Sequence, residues 1–461
     1  MRRICSGIAA AASLVVVSVG IVGCPTTGGR PNVVLITVES MRPDYLSCYG
    51  GRQAPTPHID ALAHTGVLFA HAFSDVPWTR GAMASVLTGR YATQHGVRTP
   101  YALLPAGEVT VAEEFRAAGY RTAAVVSLFD LDHVFQFDQG FVDYDDRFTA
   151  PLSGTEDRLL HLASRFYGNT AEDRKFRRDK LRADAIRGDA EATDAALAWL
   201  RRAPRRPFLL WVHYFAGHER SAGGVDVARQ VERYQPAVTH VDAEIGRLTD
   251  GLAALGLDAN TVIVLHADQS RGLLDPGGAG RGGDLYDVSI HVPLIIRWPG
   301  HLPAGRSVES LVRLVDIFPT LAELAGVAVP PGLDGQSLVG LVDGGAPPLP
   351  RELYGETYRA TVVGMGGQVI SDAAGNVHHV GFVKRAVRTG RWKLIRNEPA
   401  KMIDAGGPDP LPESFRAALF SEELYDLLHD PAEQTNVIGQ NPAVADDLRR
   451  RLDRYAQRSA P

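Results

Sequence analysis

Apolar runs rich in β-branched residues recur along the chain and are separated by stretches with helical periodicity. The clearest run is Val33 to Val38, and comparable runs are Thr122 to Val126, Phe208 to Phe215, Val262 to His266 and Val292 to Ile296. Short continuous runs of this kind predict strands buried on both faces, as they are in a parallel sheet. Because strands and helices alternate, we predict an α/β fold with a mainly parallel sheet flanked by helices.

Amphipathic helices are predicted between these strands from apolar residues at helical spacing. Their ranges are Ile59 to Leu68, Val111 to Ala118, Leu181 to Leu200, Val227 to Leu255 and Leu311 to Ala325. The apolar run Val67 to Phe73 follows the first helix, and Pro236 is expected to break or kink the fourth.

The pattern changes after Leu341, where the run GGAPPLP is typical of a linker. A hairpin is predicted about Thr389 and Gly390, and a charged amphipathic helix from Ala443 to Gln457 closes the chain. We therefore divide the chain into an α/β domain at residues 32–343 and a smaller C-terminal α+β subdomain at residues 350–461.

The first 24 residues have the pattern of an export signal. Arg2 and Arg3 precede an apolar stretch from Ile8 to Val22, and the segment ends in IVGC at Cys24. This ending resembles a bacterial lipobox, so we predict a lipoprotein-type signal peptide at residues 1–24, lipid attachment at Cys24 and a flexible tether at residues 25–31. An ordinary cleaved signal or an uncleaved anchor is the alternative. The favoured interpretation predicts an exported protein, anchored by lipid to a membrane of the bacterial cell envelope, in the periplasm or at the surface.

Composition narrows the possible functions. The 461 residues are 45% hydrophobic and 22% charged, which predicts an ordinary globular core. The formal net charge of -5 gives no general attraction to nucleic acid, so no nucleic-acid partner is expected. Three cysteines supply neither a disulfide framework nor a zinc-ribbon spacing.

Polar side chains follow three of the predicted strands. Glu39 comes directly after the first strand, His218 comes after the third, and Asp268 and Gln269 follow the fourth. Ligands of open α/β sheets bind beyond the carboxyl ends of the strands. We therefore expect these side chains to converge on one crevice.

Residues 75–97, DVPWTRGAMASVLTGRYATQHGV, predict a loop that runs into a short helix ended by Thr88 and Gly89. Thr79 stands at the start of that helix. A hydroxyl in this place is either an N-cap or a nucleophile whose anionic substrate is held by the helix N–H groups and the positive end of the dipole.

The ordered set of motifs resembles that of the sulfatases, within the alkaline phosphatase superfamily, over roughly residues 31–437. PNVVLITVESMRPDYLSCYG resembles the family's first metal-binding strand and its loop, and PWTRGAMASVLTGRYATQHGV resembles its nucleophile helix. Further segments match in the same order: FVDYDD, WVHYFAGH, HVDAEIGRL, VIVLHAD, LYDVSIHVPLIIRWPG, LVDIFPTLAELAG and LYDLLHDPAEQTNV. The resemblance implies a sulfatase-like fold and an anionic ester substrate.

The resemblance also implies one divalent cation, calcium by preference, with magnesium or manganese as alternatives. The metal-ligand positions fall on Glu39, Ser40, Asp268 and Gln269. Most relatives have Asp at the first position, often Asp at the second, and Asp with Asn or His at the late pair. All four residues here offer oxygen donors, which hard cations accept.

The family's nucleophile position falls on Thr79, which cannot become formylglycine. The resemblance therefore implies direct attack by a Thr79 alkoxide, as in the phosphodiesterase and lipoteichoic acid synthase branches. His218 would serve as acid, base or substrate ligand, and Arg80 is assigned a catalytic role beside the nucleophile. Arg271 and Arg281 would bind the anion.

Two functions are consistent with the sequence. In the first, the protein is a metal-dependent hydrolase or transferase of sulfate or phosphate esters. In the second, it is a sulfatase-fold lipoprotein with a decayed site that acts in binding or as a scaffold, since Ser40 and Gln269 depart from the usual ligands. A chelator and Thr79→Ala should abolish the first function and leave the second unchanged.

Overall fold

The structure is a computed structural model. It describes residues 29–52, 54–98, 102–149, 186–202, 207–215, 227–270, 284–342, 344–345, 351–359, 369–371, 377–402 and 420–458. The predicted signal peptide with Cys24 lies outside these residues, as do His218, Arg271, Arg281 and most of the predicted tether.

A mixed, mostly parallel sheet forms the centre of the molecule. Within the described ranges its strands are β1 Asn32–Val38, β2 Val67–Phe73, β3 Arg121–Val125, β4 Asp143–Asp145, β5 Phe208–Tyr214, β6 Thr261–Ala267, β7 His291–Val292, β8 Leu294–Arg297 and β9 Arg306–Arg313. They are ordered β4-β3-β5-β1-β6-β8-β2-β7, with β9 beside β2. The first five strands in this order, β4, β3, β5, β1 and β6, run parallel to one another. Strand β8 is antiparallel to both of its neighbours, β6 and β2. The predicted α/β fold with a mainly parallel sheet is confirmed.

The helices pack in two groups. Their bounds are α1 Pro57–His64, α2 Thr79–Thr88, α3 Ala92–His95, α4 Val111–Ala117, α5 Asp189–Arg201, α6 Val227–Ala254, α7 Asp287–Ile290, α8 Ile317–Ala325, α9 Val339–Val342 and α10 Pro442–Ala456. Short 3-10 turns cover Pro43–Tyr45, Ser47–Tyr49, Phe129–Leu131, His133–Phe135, Asp258–Asn260, Leu314–Asp316 and Ile438–Gln440. Helices α1 and α5 pack against α6, whereas α2 and α4 pack against α8. None of the helices in the described ranges combines the length and apolar character that crossing a bilayer requires.

A second, antiparallel sheet forms the C-terminal part. Its strands are β10 Leu353–Arg359, β11 Val369–Ser371, β12 Val377–Arg388, β13 Trp392–Met402 and β14 Ser421–Asp426. They are ordered β10-β12-β13-β14, with β11 beside β12. Apolar residues of α10, including Leu448 and Leu452, share a buried cluster with Leu394 of β13 and Leu424 of β14. The predicted hairpin about Thr389 is confirmed, and its strands are longer than predicted.

Some predicted boundaries are wrong. The helix predicted from Leu311 begins only at Ile317, because β9 continues in parallel pairing with β2 as far as Arg313. The Arg313 backbone N–H then donates to Asp316 Oδ2 at 2.9 Å and fixes a 3-10 turn before the helix. Pro293 separates β7 from β8, where one strand was predicted. Pro236, by contrast, lies inside α6, which continues through it.

Candidate functional site

The carboxyl ends of β1 and β6 bring two acidic side chains together. These strands pair in parallel with Val38 opposite Ala267, so Glu39 and Asp268 are the next residues on neighbouring strands. Neighbouring strands lie about 4.8 Å apart. Both side chains are buried, with Glu39 1% and Asp268 0% exposed. Two carboxylates in such a place need positive charge or hydrogen-bond donors around them.

Asp268 has one oxygen in use and one oxygen without a partner. Its Oδ1 accepts two backbone hydrogen bonds, one from the N–H of Ser40 at 2.9 Å and one from the N–H of Gln269, the next residue, at 2.7 Å. Its Oδ2 is buried and has no hydrogen-bond partner among the described residues. Burial raises the pKa of the Asp268 carboxyl to about 6, although the N–H groups of Ser40 and Gln269 and the nearby Thr79 hydroxyl lower it. A nearby cation would stabilise the charged form.

Ser40 holds an unusual backbone conformation at the same place. Its φ is +55°, in the left-handed region that side-chain-bearing residues seldom occupy. Tyr234 of α6 holds it there, because the phenol donates to Ser40 O at 2.9 Å and accepts from the Arg42 N–H at 2.8 Å. The strained turn thereby aims the Ser40 N–H at Asp268.

Thr79 is the first residue of α2, and Trp78 is the N-cap without a side-chain cap hydrogen bond. The capping interpretation of Thr79 is therefore wrong. Its hydroxyl is buried and forms no hydrogen bond of regular geometry with a described residue. It nevertheless lies close enough to Asp268 to lower the pKa of that carboxyl. A buried hydroxyl at a helix start thus lies near Asp268.

Arg80 points away from Thr79 towards the segment after β3. Its guanidinium donates to Asp130 O at 2.9 Å and to Asp130 Oδ1 at 3.0 Å, and it lies 3.4 Å from the centre of the Phe135 ring. Burial lowers the pKa of Arg80 to about 10, while Asp130 raises it. The charge of this predicted catalytic residue is paired, and its catalytic role stays a prediction.

A row of polar side chains lies on the same face of the sheet, two residues before the carboxylates along the strands. Thr37 is opposite His213 of β5 and His266 of β6. Burial lowers the pKa of His266 to about 4 and that of His213 to about 3, so both rings are uncharged at neutral pH. Both ring nitrogens of His266 are within hydrogen-bond distance of a partner, Nε2 of Thr37 Oγ1 and Nδ1 of Ala267 O. Neither ring nitrogen of His213 has a partner among the described residues.

The sequence analysis missed one group that can bind a metal ion. In the described part of the chain, Asp132, His133 and Asp146 bring one ligand atom each within 4.8 Å of one another. His133 Nδ1 lies 2.5 Å from Asp146 Oδ2 and 3.2 Å from Asp132 Oδ1. The acidic run FVDYDD, which ends at Asp146, was noted only as a family motif. Asp132 and His133 lie in a different loop from Asp146, so the spacing of the three residues along the chain did not predict a metal site.

The sequence model of one family, Sulfatase, matches residues 31–327. The chain belongs to the sulfatase family. Arylsulfatase A of Homo sapiens is 27% identical over 460 residues, which cover 89% of this chain and 83% of that protein.

Solved structures of the same fold include sulfatases and a related hydrolase. The phosphonate monoester hydrolase of Agrobacterium radiobacter has a TM-score of 0.66 and 22% identity, with 92% of this chain and 95% of that chain covered. A protein solved in complex with its substrate D-glucosamine-2-N,6-O-disulfate has a TM-score of 0.66 and 20% identity, with 93% and 98% covered. At this identity the likeness to these structures shows the fold.

Sulfatases generally bind a divalent cation, and the residues at this sheet edge fit one. The buried Asp268 Oδ2 has no hydrogen-bond partner among the described residues, and burial raises the pKa of that carboxyl, as expected of a carboxylate that faces a cation position. Glu39 lies beside it, and the predicted ligands Ser40 and Gln269, whose backbone N–H groups bond to Asp268 Oδ1, would add a hydroxyl and an amide oxygen. An all-oxygen donor set suits calcium, magnesium or manganese.

Proposed function

We propose that this protein is a metal-dependent hydrolase or transferase of sulfate or phosphate esters that uses Thr79 as its nucleophile. Membership of the sulfatase family and the likeness to a phosphonate monoester hydrolase support an anionic ester as substrate. One observation carries the proposal. The Thr79 hydroxyl is buried at the start of α2, takes no part in capping and lies against Asp268.

The start of α2 is suited to an anion. The first backbone N–H groups of a helix lack partners within the helix and lie at the positive end of its dipole. The first turn of α2 carries no acidic residue that would repel an anion. A sulfuryl or phosphoryl group bound there would lie next to the Thr79 hydroxyl.

The proposed chemistry uses the following groups. A divalent cation held by Glu39, Ser40, Asp268 and Gln269 would neutralise negative charge that develops on the ester oxygens. Thr79 Oγ1 would form the bond to sulfur or phosphorus, and its proton would pass through His218, which the family resemblance assigns to acid or base chemistry, to the ester oxygen. That oxygen would leave with the electron pair of the broken bond. Water, or an acceptor hydroxyl in the case of transfer, would then attack the bound group and give its proton through His218 to Thr79 Oγ1, which leaves.

The test compares the unaltered protein with Thr79→Val and Thr79→Ser. Substrates are p-nitrophenyl sulfate, p-nitrophenyl phosphate and bis(p-nitrophenyl) phosphate, each with calcium, magnesium or manganese. We expect turnover of at least one ester, its loss in Thr79→Val and its retention in Thr79→Ser, since serine keeps the hydroxyl. Rapid quenching followed by mass spectrometry should find the sulfated or phosphorylated peptide that contains Thr79.

Two results would count against the proposal. Turnover in Thr79→Val equal to that of the unaltered protein would exclude Thr79 as the nucleophile. Absence of both turnover and cation binding would favour the alternative, a sulfatase-fold lipoprotein that acts in binding or as a scaffold.

We also propose that Cys24 carries a lipid and anchors the protein to a membrane of the cell envelope. The proposal is supported by the signal pattern that ends in IVGC. In cells that express the full chain, Cys24→Ser should move the protein from the membrane fraction to the soluble fraction. Unchanged fractionation, with no lipid on the N-terminal peptide of the unaltered protein, would reject the anchor.

A further inference from the structure

A chain of side-chain hydrogen bonds crosses three strands directly beneath the carboxylate pair. Trp211 Nε1–H donates to Thr37 Oγ1 at 3.1 Å, and Thr37 Oγ1 lies 3.1 Å from His266 Nε2. His266 Nδ1 lies 2.9 Å from the carbonyl oxygen of Ala267. All three side chains are buried.

The direction of these hydrogen bonds follows from the chemistry of the groups. A carbonyl oxygen only accepts, so His266 Nδ1 carries the ring proton and donates to Ala267 O. Nε2 of the uncharged ring is then an acceptor, and the Thr37 hydroxyl donates to it. Thr37 in turn accepts from Trp211. Each polar hydrogen of these side chains has one acceptor, so this series of hydrogen bonds runs in one direction only, from Trp211 to Ala267 O.

This chain and the carboxylate pair share one face of the sheet. Thr37 is two residues before Glu39, and His266 is two residues before Asp268; side chains two apart on a strand point to the same side. Thr37 and His266 are register partners, Val38 and Ala267 are the next pair, and Glu39 and Asp268 follow directly after it, so they are the next side chains on the face of Thr37 and His266. The hydrogen-bonded row therefore lies next to the carboxylates on this face of the sheet, two residues earlier on each strand.

We propose that Thr37 and His266 are positioning residues that fix the separation and orientation of Glu39 and Asp268 for a divalent cation. The inference rests on the proposed function, because it assigns the cation to that same site. The His266 bond to Ala267 O holds the peptide group that leads into Asp268. The Thr37 bond to His266 ties that group to β1, one residue before the register of the two strands ends at Val38 and Ala267.

A rigid pair of ligands has a consequence for cation choice. Discrimination between calcium and magnesium depends on cavity size, ligand number and flexibility. Loss of the Thr37–His266 bond should therefore lower cation affinity and also narrow the difference between the two ions. General destabilisation of the fold would reduce the folded fraction without changing that ratio.

The experiment is isothermal titration of the cation-free protein with calcium chloride and, separately, magnesium chloride. The variants are Thr37→Val, which removes the hydroxyl at constant shape, and Thr37→Ser, which restores it. Thr261→Val is the matched control, because Thr261 is a buried, hydrogen-bonded threonine at the opposite end of β6. Partners that orient metal ligands change affinity by about 10- to 100-fold when removed. We expect that loss in Thr37→Val, recovery in Thr37→Ser and little change in Thr261→Val.

The outcomes separate the inference from the proposed function. Unaltered affinity and calcium-to-magnesium ratio in Thr37→Val would overturn the inference and leave the proposed function intact. An equal loss in Thr261→Val would overturn it too, since any buried threonine would then suffice. Absence of cation binding to the unaltered protein would overturn both. If Thr37→Val fails to fold, Trp211→Phe, which keeps an aromatic ring but removes the donor to Thr37 together with part of the indole, takes its place, with a smaller loss in the same direction.

Discussion

The backbone N–H of Ser40 donates to Oδ1 of Asp268 at 2.9 Å. This hydrogen bond joins the turn after β1 to the end of β6, two segments that are 228 residues apart in the chain. It occupies Oδ1 and leaves Oδ2 buried and without a partner among the described residues. The turn thus orients the second oxygen of Asp268 for a ligand from outside the protein.

Asp268→Asn should abolish stabilisation by divalent cations. Asparagine can still accept the Ser40 N–H, but it removes the charge that attracts the ion. A cation at a hundred times its dissociation constant stabilises the unaltered protein by about 2.7 kcal/mol, so thermal unfolding with and without calcium should show a clear shift that the variant lacks. Asp132→Asn is the control. If the shift is lost there instead, the ion binds at the group of Asp132, His133 and Asp146.

A buried chain of hydrogen bonds joins Asp75, which precedes the candidate nucleophile, to residues that follow it in the sequence. The Val97 N–H donates to His95 Nδ1 at 3.1 Å, so in the uncharged ring Nε2 carries the proton and donates to Ser85 Oγ at 3.0 Å. Ser85 Oγ donates to Asp75 Oδ2 at 2.8 Å. Burial raises the pKa of Asp75 from 3.8 to about 7, although the Ser85 hydrogen bond lowers it.

This raised pKa predicts the pH dependence of stability. Between about pH 3.8 and pH 7 the folded protein holds a proton on Asp75 that the unfolded chain has lost. The contribution of Asp75 to stability is therefore full below pH 3.8 and falls as the pH rises to about 7. Asp75→Asn removes this dependence, so its stability relative to the unaltered protein should increase from pH 4 to pH 7 and then level off. Urea unfolding across this range tests the prediction, which a constant difference would refute.

Arg80→Met should destabilise the protein strongly. The guanidinium is buried, pairs with Asp130 and stacks on Phe135, and removal of one partner of a buried pair costs about 3–5 kcal/mol. The control is Arg121→Met, because the Arg121–Asp143 pair is well exposed and should be worth about 1 kcal/mol or less. Urea unfolding measures both. A stable Arg80→Met with weaker substrate binding would instead support the predicted catalytic role.

Most of the strands could be predicted from the sequence because a strand that is buried on both faces is a continuous apolar run. Val33 to Val38 and Val262 to His266 are apolar runs; the observed β1 is one residue longer at its start, and β6 is one residue longer at each end. Strand β9, Arg306–Arg313, alternates between apolar and polar residues and contains no such run. It was therefore not predicted as a strand, and its last residues were assigned to a helix. Its position depends on pairing with β2, which the local pattern does not contain.

The candidate site was predictable only in part, for a similar reason. Glu39 and Asp268 stand directly after strands, where the rule for α/β sheets points. The register that makes them neighbours, and the Thr37–His266 bond beneath them, join residues 229 apart and follow from packing alone. Arg80 was assigned a catalytic role because it follows Thr79 in the sequence, but the direction of its side chain depends on Asp130 and Phe135 in a separate loop.

Lys393 provides a last prediction, because its ammonium group is fully buried where the C-terminal sheet meets α7. Nζ lies 2.8 Å from Asp287 Oδ1 and 2.8 Å from Glu433 Oε1. Arg388 pairs with the other Asp287 oxygen at 2.9 Å. Lys393→Met leaves Glu433 buried without its cation and should lower the free energy of unfolding by about 3–5 kcal/mol. Lys393→Met combined with Glu433→Gln should recover part of this loss, because no unpaired charge remains. Arg391→Met, in the turn before β13, is the matched control; its pair with Asp426 is half exposed on the arginine side, is screened by solvent and should contribute little to stability. Guanidinium unfolding of the four proteins tests the argument. Equal losses in the two single variants would show that burial does not set the strength of these pairs.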